Sequence, residues 1–296
     1  MTGRLNSAST WRVNLARELC SHYSSHPGVL MACLGGSSAR GIADMYSDLD
    51  IIVYWNELDD KWIEAEPLTS ATGIPRTSIM SLSPGSFIES YHLDTLKVDY
   101  GHVLLSEFRE WLEPLYTSDT PDHDLISSAG GFLSSMVFYG EDIFAEIRNC
   151  IQEYPSALAL DVVKKNLGFY VNGYLDGQCF HRGDLLAYHD GIVLMLKKIL
   201  NATAALNRHY YHAGEARWAE YHLGFMEKKP SELTWPNVKR MLSNPGADTV
   251  SMLGRIQSEL LDMAALEFPS LSEKIGIRKS RMESLGVKPC ISRPEF

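Results

Sequence analysis

Apolar and polar positions along this chain recur with two periods, and the places where one gives way to the other mark out the predicted elements. From Trp11 to Tyr23 the residues Val13, Leu15, Ala16, Leu19 and Cys20 repeat at helical spacing, which predicts an amphipathic first helix. Pro27-Gly28 ends it, and Val29 to Leu34 follows as a short apolar strand running into a glycine turn. Ser37 to Asp44 reads as a short helix. Leu49 to Trp55 is near-continuously apolar, as a strand buried on both faces is. Thr77 to Leu82, Ser86 to His92 and Thr95 to Leu105 are further predicted strands, separated by turns at Pro84-Gly85 and Leu93-Asp94. Leu58 to Ile74 fits either a helix followed by a loop or an irregular excursion.

After Glu113-Pro114 the pattern changes. The segment Ser118-Asp-Thr-Pro-Asp-His-Asp124 has the turn chemistry of a polar linker, and from Leu125 onward the period is almost wholly helical. Helices are predicted at Leu125–Tyr139, Ile143–Glu153, Ala157–Asp176, Gly183–Leu206, Ala213–Glu227, Ser231–Leu242 and Thr249–Phe268. Ser231 is the N-cap candidate of its helix, and the tail from Ser270 is expected to be a loose strap. The expected architecture is α/β (α+β): a domain with a small mixed sheet over 1–122, then a helical bundle over 123–296.

Composition narrows the class. The 296 residues are 45% hydrophobic and 22% charged, ordinary for a soluble chain, and no apolar run approaches the ~20 residues of a membrane span. The N-terminus lacks the profile of a signal peptide. Five scattered cysteines without a C-x-x-C pair fit reduced thiols and a cytoplasmic location. A net charge of −10 disfavours a nucleic-acid partner; a small acceptor, with cationic ones among the candidates, suits that balance better. His209, His212 and His222 lack the companions that would make a zinc site.

The candidate chemistry lies in two short runs, Leu34-Gly-Gly-Ser-Ser-Ala-Arg-Gly41 and Tyr46-Ser-Asp-Leu-Asp-Ile-Ile-Val53. In a strand, Asp48 and Asp50 project to one face while Leu49 points away. Two carboxylates so placed form an all-oxygen site for a hard divalent cation, and Mg²⁺ typically shares such a site with substrate phosphates. The Gly35-Gly36-Ser37 turn offers backbone N–H groups and a hydroxyl to those phosphates. The combination reads as a nucleoside-triphosphate site.

These two runs resemble the signature of the DNA polymerase β-type nucleotidyltransferase superfamily, and most of all its minimal and antibiotic-modifying (aminoglycoside-type) branches. The matching residues are Gly36-Ser37-Ser38-Ala39-Arg40-Gly41 and Ser47-Asp48-Leu49-Asp50. The resemblance covers roughly the first third of the chain. It implies a third carboxylate on a later strand, for which Lys97-Val98-Asp99-Tyr100 has the right setting. Asp48, Asp50 and Asp99 would then hold two Mg²⁺ ions and act as the catalytic residues, with Asp99 also the candidate to take the acceptor proton. Gly36 and Ser37 would meet the β- or γ-phosphate, and Ser47 would supply a second hydroxyl. Arg40 would either contact phosphate or pair with Asp44. In the helical half, Lys198 (with Lys197 beside it) and Arg217 are the candidate cations for the triphosphate. Glu141 or Asp142 is the alternative general base.

The activity so implied is Mg²⁺-dependent transfer of a nucleoside monophosphate, AMP from ATP in the first instance, to a small-molecule hydroxyl with release of pyrophosphate. AMPylation of a protein hydroxyl, as in antitoxin-like members, and nucleotide binding without catalysis are the alternatives. Oligomeric state is not legible.

Overall fold

The computed structural model describes residues 5–117, 123–168, 171–214 and 218–284. The first helix, α1 (Ser7–Ser24), starts where Asn6 caps it: the Asn6 side chain accepts from Ser9 N at 2.7 Å and donates to Ala43 O at 2.9 Å. Its apolar stripe, Val13, Ala16, Leu19, Cys20 and Tyr23, is buried against the sheet that follows. In chain order come β1 (Val29–Leu34), α2 (Gly36–Ala39), β2 (Leu49–Trp55), α3 (Asp60–Glu64), α4 (Pro67–Thr72), β3 (Arg76–Ser83), β4 (Ser86–Leu93) and β5 (Leu96–Leu104). Next are α5 (Leu105–Leu112), α6 (Pro114–Thr117), α7 (His123–Leu133), β6 (Met136–Tyr139) and α8 (Glu141–Ile151).

The six strands form one mixed sheet in the order β3-β4-β5-β2-β1-β6, in which only β2 and β5 run parallel. Strand alternation then assigns the faces. Leu49, Ile51, Val53 and Trp55 of β2, with Val98 and Tyr100 of β5, pack under α1. Asp50, Ile52 and Tyr54, with Asp99, Gly101 and Val103, belong to the opposite face. The register pairs Asp50 with Asp99 directly.

The chain divides into two compact units. The first holds the described residues of Met1–Thr117 and Ser128–Glu153, and the second those of Ser118–Ser127 and Tyr154–Phe296. Residues 128–153, which the change of pattern groups with the helical half, thus pack in the first unit. The reason is β6. The run Leu125–Tyr139 is predicted as one helix, yet Ser134 and Ser135 hydroxyls donate to Gly131 O at 2.9 Å, α7 stops, and Met136–Tyr139 pairs with β1. A short apolar run of Met, Val, Phe and Tyr carries no period that separates strand from helix.

In the second unit α9 (Ser156–Asn166) and a π-helical segment (Val171–Phe180) precede the long α10 (Leu185–Leu206). Then follow α11 (Ala219–Phe225), α12 (Trp235–Ser243), α13 (Ala247–Glu267), a 3₁₀ turn (Pro269–Leu271) and α14 (Ser272–Ser284). The single helix expected over Ala157–Asp176 is therefore two segments, the second closing with i→i+5 bonds such as His181 N to Asp176 O at 3.1 Å. Thr234, not Ser231, caps α12, because Ser231 is bound through N and Oγ to Glu259, both at 2.8 Å. The expected strap from Ser270 is helical through Ser284; its remainder lies outside the described residues. No helix among the described residues is long and apolar enough to cross a membrane.

Candidate active site

Asp48, Asp50 and Asp99 converge. Each is half-buried, and each offers a carboxylate oxygen such that the three atoms all lie within 4.8 Å of one another. Asp50 and Asp99 are neighbours because β2 and β5 run parallel and in register, and Asp48 joins them from the residue pair before β2. Three hard oxygen donors this close suit a divalent cation such as Mg²⁺, since without a positive partner like charges at that distance repel.

A positive partner is present, and sequence reasoning missed it. Lys97 Nζ donates to Asp99 Oδ2 at 2.5 Å, and Ser90 Oγ donates to Asp99 Oδ1 at 2.6 Å. The hydrogen bond to Asp99 raises the Lys97 ammonium above its ordinary range against the cost of burial, and the charges of Asp99, Asp48 and Asp50 add to the rise. Both residues were findable: Lys97 stands two before Asp99, on its face of a strand, and Ser90 is its cross-strand partner in β4.

The glycine turn closes over the same carboxylates. Gly36 has φ +64°, and a Cβ there would collide with the Asp50 carboxylate. Only glycine allows the backbone to approach so closely. Ser37 and Ser38 are buried just beyond, and the Ser38 hydroxyl has no hydrogen-bond partner. The predicted helix Ser37–Asp44 is one turn only: Arg40 is its C-cap and Gly41, at φ +79°, turns the chain away. A helix of four residues sums few peptide dipoles, so anion affinity here rests on the individual N–H groups of the turn.

Ser47 has a different employment from the one expected. Its hydroxyl accepts from Asp44 N at 2.9 Å and donates to Asp44 Oδ1 at 3.0 Å, which closes the 44–47 turn leading to Asp48. Arg12, buried at 4% exposure, fastens that turn to α1 by donating to Ser47 O at 2.9 Å. Glu141 opens α8 behind Gly140 beside Leu30 and Met31, near the start of β1, whereas the glycine turn follows its end. The structure does not bring Glu141 or Asp142 to the triad.

Lys198 belongs to the second unit, where its ammonium donates to Gly168 O at 2.8 Å; Lys197 donates to Gly214 O at 2.6 Å. Arg217 lies outside the described residues. In the same unit His209 Nε2 lies 2.9 Å from His222 Nδ1, and burial lowers the His209 imidazole to about 4.

Two cavities adjoin the triad in the first unit. One, of about 580 Å³, runs from Gly35 and Gly36 past Ile52 and Tyr54 to Phe108, Trp111 and Phe132. The other, of about 730 Å³, is bounded by Asp48, Lys97, Arg12, Trp11, Met45 and Tyr46, among others.

No curated protein matches the chain in sequence. A nucleotidyltransferase-like protein from Exiguobacterium sibiricum 255-15 aligns over 92% of this chain and 86% of its own at 12% identity, with a TM-score of 0.36, and nothing here rests on it. Residues 13–114, from α1 through the strand that carries Asp99, match the family model of the nucleotidyltransferase domain. Over residues 13–114, about a third of the chain, the protein is thus similar to the nucleotidyltransferase domain of the DNA polymerase β-type superfamily.

Proposed function

We propose that the protein transfers the nucleoside monophosphate of an NTP, AMP from ATP in the first instance, to a hydroxyl of a small molecule. The supporting observation is the convergence of Asp48, Asp50 and Asp99 within 4.8 Å beneath a glycine turn that no other residue fits. In this reading the acceptor oxygen attacks the α-phosphorus, the bond from that phosphorus to the α,β-bridging oxygen breaks, and pyrophosphate leaves with the electron pair. The hydroxyl proton passes to Asp99. Bound Mg²⁺, one ion or two, supplies charge neutralisation on the phosphates. Gly36 and Ser37 receive the β- or γ-phosphate. Arg40, Ser47 through its turn, and Lys198 and Arg217 from the helical half belong to the same proposal, with the reaction placed in the cytoplasm.

The test is incubation of the purified chain with Mg²⁺, each α-labelled NTP and a panel of hydroxyl-bearing metabolites and antibiotics. Label on a small molecule with pyrophosphate release supports the reading. Label on protein instead points to AMPylation, and nucleotide binding without label to a non-catalytic protein. Asp48→Asn, Asp50→Asn and Asp99→Asn should each lower turnover at least 10³-fold, the scale of losing a central electrostatic group. Full turnover in any of them removes that residue from the site. Lys198→Ala should raise the KM for NTP with little change in melting temperature, since its lost bond is to one carbonyl.

A further inference from the structure

The domain contains a second feature that bears on the acceptor. Arg12 is buried, yet it has no carboxylate partner among the described residues. Its guanidinium donates to Ala8 O at 3.1 Å and to Ser47 O at 2.9 Å, lies 4.2 Å from the centre of the Trp11 ring, and leaves Nε without a partner. A guanidinium carries five N–H donors, so two carbonyls leave it far from satisfied. It borders the cavity of about 730 Å³ that Asp48 and Lys97 also line. The other walls are mixed: Ser47, Thr95 and Asp44 are polar, the Asp44 carboxylate being tied to Tyr46 N and Ser47 Oγ, while Trp11 is 45% exposed, Met45 82% and Tyr46 86%. Large apolar side chains gathered at a cavity mouth mark a binding surface.

The position of this cavity says which substrate it takes. Phosphoryl transfer places attacking and leaving oxygens roughly in line through the phosphorus. If pyrophosphate leaves on the glycine turn, the acceptor enters from the other side of the carboxylates. The cavity that includes Gly35 and Gly36 is on the nucleotide's side, and the cavity that includes Asp48 and Lys97 but no residue of the turn is the acceptor's.

We infer that the cavity between Trp11, Arg12, Tyr46 and Lys97 binds the acceptor, and that the acceptor is a hydroxyl compound with an aromatic or flat apolar body and an anionic group. The ring stacks on Trp11 and Tyr46. The anion meets the spare donors of Arg12 with Lys97 close by, and the hydroxyl faces Asp99. This assignment rests on the nucleotidyl-transfer reading. It reverses the expectation of a cationic acceptor, which came from the charge of the whole surface and not from the two cations at this cavity.

The test uses the full chain with Mg²⁺ and α,β-methylene-ATP, which binds but does not transfer. Ligand-observed NMR titration compares 4-(hydroxymethyl)benzoate with benzyl alcohol and with 4-(aminomethyl)benzyl alcohol. The carboxylate should bind at least tenfold more tightly than either, and Trp11→Ala and Arg12→Gln should each erase most of that advantage. Affinity for the ATP analogue should stay within twofold in Trp11→Ala, which leaves the anchor of the 44–47 turn in place. Arg12→Gln is checked by thermal melting; should it fail to fold, Trp11→Ala, a half-exposed site, carries the test. Equal binding of the three probes, preference for the amine, or a collapse of nucleotide affinity in Trp11→Ala overturns the inference. Failure of the unmodified chain to bind the ATP analogue sinks the nucleotidyl-transfer reading itself, and the acceptor assignment with it, even where the probes still discriminate.

Discussion

At the scale of single residues, the site is organised around uncompensated charge. Asp99 is held by Ser90 and Lys97 at its two oxygens, so a cation must displace Lys97 from Oδ2 or share that atom with it. Lys97→Met should lower the melting temperature of the metal-free protein by about 1–3 °C, the scale of a partly exposed ion pair. The same variant should gain more from added Mg²⁺ than the unmodified protein does, because the carboxylates then have no internal counter-charge. Differential scanning fluorimetry with and without Mg²⁺ reads both effects; an unchanged Mg²⁺ response would remove Lys97 from the site. Gly36→Ala is a sharper probe. Its backbone is left-handed and its Cβ would strike the Asp50 carboxylate, so a cost of about 1–3 kcal/mol in stability accompanies displacement of Asp50. Calorimetry should show that loss together with NTP turnover down at least 100-fold. Of these residues, the three acids, Gly36 and Ser37 were legible from their spacing. Lys97 was legible too, two before Asp99 on one strand face, whereas Ser90 and Arg12 act through partners 9 and 35 positions away that only strand pairing or helix packing brings close.

At the scale of elements, the acids are placed by backbone hydrogen bonding. Parallel pairing of β2 with β5 sets Asp50 opposite Asp99, and a one-residue slip would send Asp99 to the α1 face. The loop that ends in Asp48 is held from α1, by Arg12 and by Asn6, which caps the helix and also bonds Ala43 O. Asn6→Ala should therefore cost about 1 kcal/mol in urea denaturation, as loss of a side-chain cap does. It should also lower NTP turnover several-fold, and an effect on stability alone would show that the loop needs no anchor there. The first helix and the strands β1 to β5 were legible because their periods are clean. α5, β6 and the split of the Ala157–Asp176 helix were not, since short apolar runs carry no period of their own.

At the scale of the whole molecule, buried ionisable groups set the response to acid. Under α1, on the sheet face away from the triad, Glu89 accepts from Tyr23 at 2.8 Å and from Arg76 at 2.7 Å, with His102 Nε2 3.3 Å away. Burial pushes the Glu89 carboxyl up, but the hydrogen bonds from His102, Arg76 and Tyr23 outweigh it and hold it below its usual range. Burial keeps His102 below the usual imidazole range despite Glu89, and its Nδ1 accepts from Trp55 at 3.1 Å, so the ring is neutral and the charge facing Glu89 is that of Arg76. Both shifts act in one direction. Below about pH 6.5 the unfolded chain protonates its histidines while His102 resists, and below about pH 4.5 it protonates its carboxylates while Glu89 resists. In the second unit His209, lowered to about 4, adds a loss of the same sign between pH 6.5 and 4. The melting temperature should fall steadily from pH 7 to pH 4. In His209→Gln the fall between pH 6.5 and 4 should be shallower; an unchanged slope would show that His209 is not protected from protonation.

The order of apolar and acidic positions was enough to establish a nucleotidyltransferase-type sheet with two acids on one strand face and a helical second half of the chain. Those features are local, written in periods of two and 3.6 and in a glycine turn a few residues from its carboxylates. Tertiary structure decided which strand lies beside β2, that residues 128–153 return to complete the sheet, and that Ser90 and Arg12 join Lys97 around the acids. Each of these is a contact between distant positions, chosen by backbone pairing and by the burial of one sheet face, and neither is visible in the chain read in order.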